Sequence, residues 1–206
     1  MIKWDDKLYL TGVRRDTTTN GEGRMELSCI EKQDNTIKEI SRQRIPAPGT
    51  NESYCEKNWM PIPDQPYHYL KWCNPVEIVK YDPMIGSCET VFLGTQQFFN
   101  YDQRGGGQVI PWQDGYLTLT HETYLYKSEV GNKNATYRHR FIHWSKDWIP
   151  LRLSDPFSFM DAKIEFACGL AEYKDSLLIT FGFQDNAAFI LSVPNTVMEI
   201  FLNAYN

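Results

Sequence analysis

Trp112-Gln-Asp-Gly-Tyr-Leu-Thr-Leu119 reads as an aromatic strand end, a tight turn and the start of a second strand. Gln113-Asp114-Gly115 supplies the residues a hairpin turn needs. The chain after it alternates, with Tyr116, Thr118 and Thr120 on one face and Leu117, Leu119 and His121 on the other. The same order (aromatic, one residue, Asp, apolar strand) returns in Trp4-Asp-Asp-Lys-Leu-Tyr-Leu-Thr11 and in Tyr173-Lys-Asp-Ser-Leu-Leu-Ile-Thr180. Asp16 and Asp185 stand at matching places further on. A weaker copy is Trp59-Met-Pro-Ile-Pro-Asp64, followed by Tyr67-His-Tyr-Leu-Lys-Trp72. The repeat recurs roughly every 50 to 60 residues, a spacing that belongs to repeated sheet units.

Each copy is followed by a further strand: Met25–Ile30, Val76–Tyr81, Tyr137–Trp144 and Ala187–Val193. Pro46-Ala-Pro-Gly49, Asp82-Pro83 and Asp155-Pro156 punctuate the units. No long segment of helical period precedes the end of the chain. There, Thr196-Val-Met-Glu199 after Pro194 has the form of a capping box, predicting a short helix to about Leu202. The pattern predicts an all-β chain, a β-propeller of the five-bladed type with about four blades present. It forms one domain over residues 1–206, with units roughly at 1–50, 51–100, 101–155 and 156–206. A β-sandwich would need Greek-key links and would not generate the aromatic-x-Asp repeat.

Apolar residues make up 42% and charged residues 23% of the chain, the balance of an ordinary globule. Net charge is −5 with no basic run, which argues against a nucleic-acid partner. The aromatic share of 14% suits strands and sugar-stacking surfaces alike. No apolar run is long enough to span a membrane, and Met1-Ile-Lys-Trp-Asp-Asp6 has no signal-peptide character, so a cytoplasmic protein is expected. The five cysteines, Cys29, Cys55, Cys73, Cys88 and Cys168, contain no Cys-x-x-Cys; they read as reduced core residues, without a metal site. Asn51-Glu-Ser and Asn134-Ala-Thr match a glycosylation pattern that carries weight only in a secreted chain.

The polar residues concentrate around Arg104-Gly-Gly-Gly107. Three glycines allow close backbone approach to a ligand or positive φ, and the following hairpin delivers His121 and Glu122 to a strand end. Guanidinium, imidazole and carboxylate near a bare loop make a polar site. The plainer reading is that the glycines serve turns and His121 is a satisfied, partly buried histidine. Arg138 and Arg140 fall on one side of their strand and His139 on the other. His68 and His143 read as structural. Lys57 could pair with Glu56, and Glu165 is open to an acid, rim or capping role.

Glu56-Lys-Asn-Trp-Met-Pro61, the Arg104–Glu122 stretch, Tyr137-Arg-His-Arg140, Ile164-Glu-Phe-Ala-Cys-Gly-Leu170 and Phe181-Gly-Phe-Gln-Asp185 together resemble the β-mannoside phosphorylase family (glycoside hydrolase family 130), whose members are five-bladed propellers. The resemblance spans about residues 4 to 193. It implies that Lys57, Asn58, Arg104, His121 and Arg138 line a central pocket for sugar hydroxyls and phosphate. Gly105 would lie beside them, and Asp185 would be a sugar-binding carboxylate. Converging cationic donors suit phosphate or an acidic glycan group. Cleavage of the glycosidic bond would need a carboxylic acid at the leaving oxygen, with Glu122 and Glu165 the candidates. No cofactor is expected, inorganic phosphate being a co-substrate at most.

Two departures bear on activity. Gly106-Gly107-Gln108-Val109 carries an amide where the family has small residues and prolines. The family's acidic Glu-Asp-Pro-Arg segment, with the general acid, precedes the strand matching Trp4–Thr11, whereas Met1 stands just before Trp4. A truncated or divergent member is therefore expected. It would bind a mannose-like glycan, turn over β-mannosides poorly, and associate with an upstream segment or partner protein that completes the ring. The rival expectations are a non-catalytic glycan-recognition module of a larger glycan-building system, and a protein-binding propeller scaffold.

Overall fold

A computed structural model describes residues 1–15, 21–49, 53–127, 129, 131 and 133–204. Asp16 and the Asn51 glycosylation pattern lie outside them. The chain divides into two compact units, Met1–Gln96 and Gln97–Asn206.

The first unit holds two four-stranded sheets. One is β1 (Ile2–Trp4), β2 (Lys7–Arg15), β3 (Gly23–Gln33) and β4 (Thr36–Arg44), paired in that order. The other is β5 (Met60–Pro61), β6 (His68–Cys73), β7 (Val76–Asp82) and β8 (Ser87–Leu93). The second unit contains β9 (Ile110–Trp112), β10 (Gly115–Lys127), β11 (Lys133–Trp144) and β12 (Pro150–Leu153). A second sheet follows: β13 (Glu165–Tyr173), β14 (Ser176–Phe183) and β15 (Ala187–Pro194). Helix α1 (Asn195–Phe201) then leads to β16 (Asn203–Ala204), which adds to the edge of β12. Among the described residues the strands of each sheet follow one another as an antiparallel meander, except that β16 returns to the edge of β12. The fold is therefore an all-β propeller of four blade sheets with one short C-terminal helix.

The aromatic-x-Asp repeat is a recurring two-residue hairpin. Trp4 pairs with Lys7, Trp112 with Gly115 and Tyr173 with Ser176. Asp5 and Asp6 take φ of 46° and 61°, Gln113 51° and Lys174 55°. The left-handed conformation twists a two-residue loop to match its strands, and aspartate tolerates it better than most side chains. The weaker copy is not such a hairpin. Between Pro61 and His68 the chain makes a longer loop, with Tyr67 at φ 62° and its ends closed by Ile62 N donating to His68 O at 3.0 Å.

In the first unit Trp4 is 1% exposed and donates its indole N–H to Ile62 O at 2.8 Å. Its ring meets Tyr9, Tyr67 and Tyr69 at 5.8, 5.4 and 5.6 Å. One aromatic thus joins the two sheets of that unit, and truncating such a side chain costs about 3–5 kcal/mol. In the second unit β10 is buried on both faces from Gly115 to Glu122. Leu117, Leu119, Phe141, Leu170, Ile179 and Met198 fill its core.

The helix forms where expected but without the capping box. Its N-cap is Pro194, with no side-chain cap hydrogen bond. Thr196 therefore lies inside the first turn, where its hydroxyl is not placed to cap. Glu199 faces outward instead, accepting from Arg152 Nη1 and Gln113 Nε2, both at 2.7 Å. Arg152 Nη2 also donates to Glu199 O at 2.6 Å and Leu202 O at 2.8 Å, satisfying carbonyls that a helix end leaves open.

Candidate functional site

The polar cluster of the second unit grows from the β10–β11 ladder. Directly opposed residues of an antiparallel pair share a face, so His121 with His139 lies on one face and Glu122 with Arg138 on the other. Thr120 opposite Arg140 belongs to the Glu122 face.

On the first face Arg104 and His121 exchange backbone hydrogen bonds, at 3.0 Å from Arg104 N and 2.7 Å from His121 N. His121 is 3% exposed, its ring packed against Phe166 at 5.0 Å and Tyr137 at 5.5 Å. Arg104 reaches Asp102, at 3.5 Å, with about a third of its side chain exposed. Beyond them His139 is fully buried. It exchanges backbone bonds with Phe157 at 2.7 and 2.9 Å, and its Nε2 accepts from Ala167 N at 3.2 Å. Burial pushes its pKa down to about 4, the charge of Glu165 opposing the shift, so the ring is neutral at pH 7.

The glycine triplet explains itself by packing. None of Gly105, Gly106 and Gly107 has positive φ. A Cβ on Gly106 would collide with the Ala167 carbonyl oxygen, and one on Gly107 would lie 3.1 Å from Gly169 Cα and Leu170 N. The triplet lets its loop lie against β13. Bare backbone can admit a ligand or a tight turn, and here the approaching group is the neighbouring sheet. Gly105 itself is buried.

The second face holds the chemistry. Glu122 is 3% exposed, and neither carboxylate oxygen completes a hydrogen bond. Arg140 Nη2 stands 4.0 Å from Glu122 Oε1, while Arg140 Nε is also buried and unbonded. Arg140 Nη1 donates to Ser154 O at 2.5 Å. Arg138 donates to Ser158 Oγ at 2.9 Å and lies 3.9 Å from Asp161. Thr120 Oγ1 bridges to Gln103 Oε1 at 2.8 Å, and the ring of Tyr124 contacts Tyr101 at 6.0 Å. The Tyr124 phenol is held above its usual pKa by burial, then by the Glu122 charge and by its own approach to that carboxylate, which stops short of a close hydrogen bond. Sequence alternation already assigned Arg138 and Arg140 to one face. That Glu122 shares it needed the cross-strand register.

Glu165 has a different task. Its fully buried carboxylate accepts from the backbone N–H groups of Phe159, Met160 and Ala162, at 2.5, 2.9 and 2.9 Å. Asp185 is exposed at the tip of the β14–β15 turn, with φ 53°. Lys57 and Asn58 belong to the first unit, Lys57 exposed and Asn58 half-buried at φ 65°. The partner of Glu56 is not Lys57 but Lys71, at 3.6 Å, with Trp59 Nε1 donating to Glu56 at 3.2 Å. Among the described residues no group of three or more His, Cys, Asp or Glu could hold a metal ion. No helix among them is long and apolar enough to cross a membrane.

No family model and no curated protein sequence matches the chain. Solved structures do match in fold. A proposed glycoside hydrolase from Bacteroides ovatus superposes with a TM-score of 0.57 at 12% identity, over 89% of this chain and 67% of that one. A glycosyl hydrolase from the same organism gives 0.52 at 12% identity, over 88% and 63%. A GDP-Man-dependent mannosyltransferase from Leishmania mexicana gives 0.53 at 10% identity, over 100% and 71%. The chain thus spans about two thirds of the length of these structures, and at such identities the likeness is one of fold.

Proposed function

We propose that this chain is a carbohydrate-active propeller of the β-mannoside phosphorylase type, and that the Glu122 face of the second unit binds a mannose-like glycan. One observation carries the reading: a buried carboxylate with both oxygens unbonded, beside a guanidinium whose Nε is also unbonded. Leaving such groups without partners costs about 1–3 kcal/mol each, more when they are charged. Sugar hydroxyls, which both donate and accept, would satisfy the carboxylate and the guanidinium together. Arg138 and Arg140 are the donors that inorganic phosphate would meet in a phosphorolytic reaction. Of the two acid candidates, Glu122 is the better placed, because the Glu165 oxygens are engaged by three backbone N–H groups. The sugar-related descriptions of three structures with this fold support the substrate class.

The second reading, a glycan-recognition module without turnover, draws on the same count. Glycoside cleavage uses two carboxyl groups flanking the bond, and among the described residues Glu122 is the only carboxylate on this face that is both buried and unbonded. Calorimetric titration with mannose and β-mannobiose, with and without phosphate, tests binding. An assay for released mannose or mannose 1-phosphate separates the two readings. Absence of saturable binding to either sugar would overturn both.

A further inference from the structure

At the other end of β10, away from Glu122, a cleft of about 380 Å³ opens beside the β9–β10 turn. Its volume falls in the range of small-molecule sites. Pro111, Trp112, Gln113, Glu172, Asn195 and Glu199 line it, all within the second unit. Two of its walls are pre-set: Glu199 is fixed by Arg152 and Gln113, both at 2.7 Å. Two polar atoms are left over. The indole N–H of Trp112, a residue 6% exposed, has no hydrogen-bond partner, and neither has Asn195 Oδ1.

We propose that this cleft is a second ligand site, taking a neutral hydroxyl-bearing molecule such as a sugar ring or polyol through Trp112 Nε1 and Asn195 Oδ1. The chemical class follows from the leftover atoms and the local charge. One is a donor and the other an acceptor, so the ligand group must both accept and donate, as a hydroxyl does. An organic cation would leave the indole N–H unmatched. An anion would meet the carboxylates of Glu172 and Glu199, while Arg152, the cation beside Glu199, is already bonded to Glu199 and the helix carbonyls. Both atoms have almost no exposed surface, so a ligand hydroxyl would reach them through a bridging water. The exposed Glu172 and the Gln113 amide would accept from and donate to the outer hydroxyls.

The site is independent of the Glu122 reading, and its test keeps the two apart. The intact chain, ¹⁵N-labelled, is titrated with mannose, glucose and glycerol while the six tryptophan indole resonances are followed; Trp112→Phe identifies the one that belongs to Trp112. A saturable shift of that resonance is expected. Affinity should fall about five- to tenfold in Asn195→Ala, the scale of one lost hydrogen bond, and stay unchanged in Glu122→Gln. Glucose 6-phosphate and methylammonium should compete poorly. The proposal is overturned by an unmoved Trp112 indole, by full affinity in Asn195→Ala, or by tighter binding of either charged probe. A sugar that shifts only resonances around Glu122 would uphold the first site and remove this one.

Discussion

Glu122 and Arg140 are diagonal neighbours on one face of the β10–β11 ladder, 4.0 Å apart without forming a hydrogen bond. A buried pair held as a structural element would cost about 3–5 kcal/mol to break. Because this pair is only half made, and Arg140 keeps its bond to Ser154 O, Glu122→Gln should change stability by less than about 1 kcal/mol. Affinity for the glycan should fall about tenfold, the cost of one charge-assisted hydrogen bond. Urea denaturation and calorimetry on the same variant decide the matter. A stability loss above about 3 kcal/mol with affinity intact would make Glu122 a structural residue.

Glu165 should behave in the opposite way. Its carboxylate gathers three backbone N–H groups of the 159–162 segment, and that segment places Phe159 in stacked contact with Phe181 at 4.2 Å. Glu165→Ala should destabilise the chain by about 3–5 kcal/mol, the sum expected for several orphaned donors. Glu165→Gln should recover part of that loss. Chemical denaturation of the two variants measures both. Near-native stability for Glu165→Ala would show that the loop does not depend on this clamp.

The pH dependence follows from the buried histidines. In the unfolded chain His139 takes up its proton near 6.5, in the folded one only at about 4. The unfolded state therefore binds more protons in between, and stability falls as pH drops through that window. The full loss from His139 is about 3 kcal/mol. His143, its pKa also lowered by burial, adds a slope of the same sign. Denaturation midpoints at pH 7, 5.5 and 4.5 should decline, and His139→Gln should flatten the decline. An unchanged slope in that variant would remove His139 as its source.

Glycine positions give a graded test of packing. Gly106→Ala places a methyl group against the Ala167 carbonyl, whereas at Gly12 a Cβ meets nothing within 4 Å. Gly106→Ala should therefore cost about 2 kcal/mol or more, and Gly12→Ala should be nearly neutral or stabilising. Thermal unfolding of the two variants compares them directly. Equal midpoints would mean that the Gly106 loop can shift away from β13 without penalty.

What could be read in the sequence was what the backbone writes locally. The two-residue turns after Trp4, Trp112 and Tyr173 left a visible pattern, because hairpin geometry restricts which residues fit. The strands after them were equally legible through alternation. β4 was not, since all but the last of its nine residues are exposed and Thr-Ile-Lys-Glu-Ile-Ser-Arg-Gln-Arg carries no burial period. The roles of Glu122 and Glu165 were also hidden. Whether a carboxylate is left unbonded or collects three N–H groups depends on residues that register and loop path bring to it. The need for Gly106 is equally invisible locally, because it is set by Ala167, some sixty residues further along the chain.

Among the described residues the last sheet has three strands where the other blade sheets have four or more, and its outer strand β15 is exposed along nearly its whole length. Ala187-Ala-Phe-Ile-Leu-Ser-Val-Pro194 contains no charged residue, and Ile190 is 74% exposed. Edge strands are ordinarily guarded by charge, most often lysine; β4 has Lys38, Glu39, Arg42 and Arg44, while β15 has no such guard. The net charge of −5 therefore offers this edge little colloidal protection, because attraction there runs through unpaired peptide groups and apolar side chains. Self-association of concentrated solutions should start at β15, persist in high salt and be relieved by a single lysine at position 190.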